Sequence, residues 1–315
     1  MLTIFNKDMK IGLFNGLGRK VLLNLIDSNK TGDLSKREES VFLLDIIGER
    51  MSASDDYSFS EGITGIAWMI EYCSQHQLLP INTDEVLEDV DDKIYQYTLS
   101  VLSDLKFNCS TILGLVNYFH TRLFSEKTSS HYYRRFTHLE CLSLLIDRMK
   151  SFLDTVNLME ENCIGVLKEV AFVLLKFSHL VTTGMSEKDF DEVFYSKIES
   201  FVNYYESHIS NMDKINDVVT ILEISQLLCM TARQYYNPHW ISIFESYHTK
   251  LSKDLIFAAG ESSFYPTGIS GVHIIYSKPV MDYKILKGLI NRYDNMEAFI
   301  LYLTNYKAFS LSLCR

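Results

Sequence analysis

Two kinds of helical pattern alternate along the chain. In the first, apolar residues occupy most sides of the helix, as in residues 164–175, where Val166, Leu167, Val170, Ala171, Phe172, Val173 and Leu174 leave little polar surface. Such a helix has to be covered by neighbours all round. In the second, apolar positions recur every three or four residues with charges between them, as at Leu142, Leu145, Ile146, Met149, Leu153 and Val156. That is the stripe of a helix with one face in solvent. The same contrast separates residues 21–26 from 41–47 and residues 218–228 from 240–256, so buried inner helices and half-exposed outer helices are expected to alternate.

Glycine-containing turns open the inner pattern: Asn15-Gly16-Leu17-Gly18, Gly62-Ile63-Thr64-Gly65, Gly114, Gly165 and Gly268-Ile269-Ser270-Gly271. The steps from Gly18 to Gly65, Gly114 and Gly165 are 47, 49 and 51 residues, and a double step of 106 leads to Gly271. A unit without its glycine is therefore expected near position 218, where Asn216-Asp217 opens an apolar run. The period predicts six units of about 50 residues, each holding two helices and two connections. Residues 296–309, with Phe299, Ile300, Leu301, Tyr302 and Leu303, are too apolar for a solvated end cap. Open helical arrays need polar caps, so closure against the first unit is predicted: an all-α, α/α toroid forming a single domain over residues 1–315. In such a ring the glycine turns mark one rim, where close packing excludes a side chain.

Composition narrows the function. Only 4 prolines and 14 glycines occur in 315 residues, which removes the punctuation that an all-β fold needs. A net charge of −10 opposes general nucleic-acid binding. No apolar run reaches the length of a membrane span, since Lys168, Glu169 and Lys176 interrupt the strongest one. Asn6, Lys7, Asp8 and Lys10 break up any secretory core at the start, and a cytoplasmic location is expected. The six cysteines are widely spaced without a C-x-x-C pair, as for reduced, packed thiols.

The segment Glu61-Gly62-Ile63-Thr64-Gly65-Ile66-Ala67-Trp68-Met69-Ile70-Glu71-Tyr72 resembles the G-x-x-G-I-x-W-x-x-E-Y element of lanthionine synthetase C-like proteins, and the turns at Gly16-Leu17-Gly18 and Gly268-Ile269-Ser270-Gly271 are similar to others of that family. The resemblance implies a toroid of six or seven helix pairs. It also implies a place in lanthipeptide-like peptide modification, where the family's cyclases hold zinc with two cysteines and a histidine to activate a peptide thiol. The W-C-x-G and C-H-G turns that carry those ligands have no counterpart here. A zinc-free relative without cofactor, binding a peptide or protein partner, is therefore expected. A site rearranged around Cys163, Cys229 and His239 is the metal-binding alternative. An enzyme acting on a small molecule or glycan in the central cavity is the catalytic one, for which Asp55, Asp56 and Glu261 are the rim carboxylates.

Four residues are candidates for lining the cavity or rim: Trp68 and Glu71, one turn apart after Gly65, His120 after Gly114, and His273 after Gly271. The acidic run Asp84, Glu85, Glu88, Asp89, Asp91 and Asp92 is expected to form the solvated face of an outer helix, capped by Asn82 or Thr83. The stretch His131-Tyr132-Tyr133-Arg134-Arg135-Phe136 is expected to join two helices, with an aromatic and basic composition able to grip a ligand.

Overall fold

A computed structural model describes residues 10–124, 132–158, 164–184, 188–208 and 215–259. Among these lie eleven helices and no strand: α1 (Leu17–Thr31), α2 (Leu34–Ser52), α3 (Ile63–Gln75), α4 (Thr83–Val86), α5 (Glu88–Ser103), α6 (Cys109–Leu123), α7 (Tyr132–Thr155), α8 (Ile164–Thr182), α9 (Lys188–His208), α10 (Ile215–Gln234) and α11 (Pro238–Ala259). The all-helical class expected from the pattern is therefore present. Five helices open the successive units, α1, α3, α6, α8 and α10, at intervals of 46, 46, 55 and 51 residues. The unit without a glycine is real, and α10 begins three residues before position 218. The sixth expected unit, with Gly268, Gly271 and the closing stretch, lies outside the described residues.

Inner and outer helices differ as their patterns require. Every residue of α3 from Ile63 to Ser74 is buried, whereas α2 buries only Ser40, Leu43, Ile47 and Met51, a single stripe. The chain divides into two compact units at Arg148 and Met149, within α7. In the first, α1 packs on α2 and α3, and α3 packs on α6. In the second, α8 and α11 both pack on α10. There Phe194 of α9 stacks on Tyr235 with ring centroids 4.5 Å apart, and the Tyr205 hydroxyl donates to the Ile221 carbonyl of α10 at 3.1 Å.

The first two units start with the same device. A seven-residue loop returns on itself so that the first helical N–H reaches back, from Leu17 to the Lys10 carbonyl and from Ile63 to the Asp56 carbonyl, at 2.9 and 2.8 Å. The loops also join each other, the Phe14 N–H donating to the Ser60 carbonyl at 2.9 Å. Gly16 and Gly62, at the two N-caps, have extended backbones with φ −129° and −112°, so glycine is needed there for space and not for a left-handed turn. A β-carbon on Gly65 would lie 1.8 Å from the Phe59 carbonyl oxygen, and one on Gly114 would lie 2.5 Å from Phe59 Cβ. At Gly65 the space is closed by backbone, whereas Gly114, expected at a turn, lies inside α6 and is closed by the Phe59 side chain.

Candidate functional site

Opposite the glycine turns, at the C-terminal ends of α3 and α6, the chain buries a concentration of charge. Arg122 of α6 is fully buried. A guanidinium has five N–H donors, and all are engaged: Nη1 donates to Glu71 Oε2 at 2.6 Å and Thr83 Oγ1 at 3.4 Å, Nη2 to Asp84 Oδ1 at 3.2 Å and Asp91 Oδ2 at 2.7 Å, and Nε to Asp91 Oδ1 at 3.2 Å. One side chain thus ties α6 to α3, α4 and α5. Burial on its own would weaken the guanidinium's hold on its proton, but the neighbouring Tyr118, Asp91 and Glu71 raise its pKa. The buried Tyr118 hydroxyl donates to Asp91, and burial followed by the Asp91 charge keeps that phenol protonated.

Trp68 and Glu71, expected at a cavity, are placed in this buried layer. Trp68 is 1% exposed, and its Nε1 donates to Thr121 Oγ1 at 3.1 Å. The second oxygen of Glu71, Oε1, accepts from Gln75 Nε2 at 2.8 Å, and that amide also donates to the Thr121 carbonyl at 2.7 Å. Both residues therefore reach neighbouring positions of α6. His120 is buried against Phe124, ring centroids 4.8 Å apart. His273 lies outside the described residues.

Two expectations need correction. The acidic run is not wholly a solvated face: Asn82 does cap α4, its side chain accepting from the Asp84 N–H, but Asp84 and Asp91 are 3% exposed and bind Arg122. A carboxylate can be buried there because a guanidinium is already waiting, and the two lie near the positive N-terminal ends of α4 and α5. Tyr132 to Phe136 do not join two helices but form the first turns of α7. From there Arg134 reaches back, Nη1 donating to the Asp84 carbonyl at 2.9 Å and Nη2 to Glu88 Oε1 at 2.8 Å.

Where α5 and α7 meet at this charged layer, a cleft of about 570 Å³ opens, and Trp68, Glu71 and His120 are not among the residues that line it. Asp91 and His138 are its buried members, Asp92, Arg134 and Thr137 are polar members nearer solvent, and Tyr95, Tyr132 and Tyr133 supply the aromatic surface. Tyr132 and Tyr133 are 74% and 86% exposed and meet edge to face, centroids 5.9 Å apart. His138 is 2% exposed, with Nε2 3.6 Å from Asp91 Oδ1. Its Nδ1 has no hydrogen-bond partner among the described residues. Burial would raise the Asp91 pKa, but His138 and Arg122 outweigh it and hold the carboxylate below its ordinary range. A second concavity of about 860 Å³, between α2 and α4–α5, has a largely aliphatic lining that includes Val41, Leu44, Ile70 and Leu79.

No three His, Cys, Asp or Glu side chains converge as metal ligands among the described residues. Of the rearranged zinc set, Cys229 is buried with its thiol pushed up to about 12 by that burial, His239 is exposed in the first turn of α11, and Cys163 lies outside the described residues. Asp56 builds its turn, Oδ1 accepting from the Ser58 N–H at 2.8 Å. No helix among the described residues is long and apolar enough to cross a membrane. Compared with known proteins, the chain matches no protein-family model and no curated protein sequence.

Proposed function

We propose that this chain is a zinc-free relative of the lanthionine synthetase C-like proteins, a toroid of helix pairs that binds a peptide or protein partner in a peptide-modification system. The observation that carries the binding role is the α5–α7 cleft, an open concavity with two exposed tyrosines set on a floor of buried charge. Recognition surfaces use this combination because an aromatic side chain offers large contact area with few torsions to freeze, on a base that does not rearrange. The succession of inner and outer helices among the described residues and the loops joined between the first two units support this reading. A glycan-cleaving enzyme needs two carboxylates on opposite sides of a bond. The two carboxylates of this cleft, Asp91 and Asp92, are consecutive on one helix, and the first is bound by Arg122.

Two experiments test the reading. Panning random dodecapeptides against the intact chain should return sequences that bind one to one by calorimetry and lose at least about fivefold in affinity when Tyr132 and Tyr133 are both changed to alanine. Recovery of only non-stoichiometric binders, or of binders indifferent to the double variant, overturns the binding role. Small-angle scattering should give a radius of gyration of about 20 Å for a closed, compact chain of this length. A markedly larger value overturns the ring.

A further inference from the structure

The α5–α7 cleft, with the buried layer behind its Asp91, carries more negative than positive charge. Glu71, Asp84 and Asp91 are each at most 3% exposed at the side chain and share the single guanidinium of Arg122. Buried charges are costly unless matched in number as well as in geometry. Arg134 supplies a second cation, its Nε 3.8 Å from Asp91 Oδ2, but its Nη2 is held by Glu88 outside the floor. Asp92, exposed at the mouth, adds another carboxylate with no ion-pair partner among the described residues. The His138 Nδ1 is buried and has no hydrogen-bond partner among the described residues. Around this electron-rich floor stand the faces and edges of Tyr95, Tyr132 and Tyr133, and aromatic faces attract cations within about 6 Å of the ring centre.

We infer that the cleft is a receptor for one cationic side chain of a bound peptide, an arginine or lysine, held between the tyrosines with its N–H donors directed to Asp92 and the His138–Asp91 floor. The charge of Arg134 is offset by its ion pair with the Glu88 carboxylate at 2.8 Å. The inference rests on the peptide-binding role proposed above and adds the chemistry of what the cleft selects.

The test is a nuclear magnetic resonance titration of the intact protein with N-acetyl-arginine amide and, as an uncharged mimic of the same shape, N-acetyl-citrulline amide. The arginine compound should give saturable shifts in α5 and the first turns of α7 and should bind about tenfold more tightly than the citrulline compound. Asp92→Asn and Tyr133→Ala alter exposed side chains and leave the packing intact, and each should weaken the arginine compound about threefold. Equal affinity for the two compounds, shifts remote from the cleft, or indifference to both variants overturns the cation site. The two proposals fail separately. Library peptides that lose affinity in the tyrosine double variant but carry no basic residue keep the peptide role and remove the cation site. Specific binding of the arginine compound with no peptide recovered does the reverse.

Discussion

Arg122 shows how one residue organises a neighbourhood. Its partners lie 31 to 51 positions away in sequence, yet they meet all five of its donors. Removing it strands three buried carboxylates, which must take up protons or leave the interior. Arg122→Met is therefore expected to destabilise the fold by about 3–5 kcal/mol, read from the urea midpoint. Part of this arrangement is legible beforehand. Leu115, Tyr118, Phe119 and Arg122 share one stripe of an inner helix, as Leu87, Asp91, Ile94 and Thr98 do along α4 and α5, and a charge on an apolar stripe needs a partner. The run of six acidic residues hides that signal, because it reads as solvated when its members are not separated by face. His138 is harder to find. Its role comes from being brought against Asp91 by two helices whose contact no local pattern records.

At the scale of elements, the glycine turns and helix stripes translate directly into structure. The close approach of the Phe59 carbonyl to Gly65 makes Gly65→Ala costly, by about 2–4 kcal/mol, since backbone rather than a flexible side chain would have to move. Gly48 is the opposite case: it lies inside α2, and a β-carbon added there would meet nothing within 4 Å. At that position the alanine substitution is expected to stabilise by about 0.5–1 kcal/mol through helix propensity alone. Paired chemical denaturation of the two variants checks both signs. What the stripes did not reveal is which ends of the helices carry chemistry. The glycine turns draw attention to the N-terminal ends of the inner helices, whereas the buried charge and the cleft lie at the other end, where α3 and α6 finish and α5 and α7 begin.

For the whole molecule, two buried groups contribute to the slope of stability against pH in separate windows. Lys176 is 4% exposed on α8, and burial alone lowers its pKa from 10.5 to about 7. Between pH 7 and 10.5 the unfolded chain holds a proton there that the folded chain lacks, so stability rises with pH across this window, and below it the full penalty remains. Lys176→Met should then stabilise by roughly 4 kcal/mol near pH 7, with the gain shrinking toward pH 9. Asp91, held below its usual range by His138 and Arg122, contributes stability that is present above about 3.8 and is lost as the pH falls through its folded value. Urea midpoints of wild type and Lys176→Met from pH 3 to 9 test both windows. The sequence by itself determined the helical class, the period near 50 residues and the unit without its glycine, because periodicity and backbone crowding are properties of neighbours along the chain. Only the tertiary structure decided which of six adjacent acids are buried, that Trp68 and Glu71 serve a joint between α3 and α6, and where the cleft opens. Those outcomes depend on which helix ends come together in space, and a charge is stabilised or exposed by partners that lie tens of residues away.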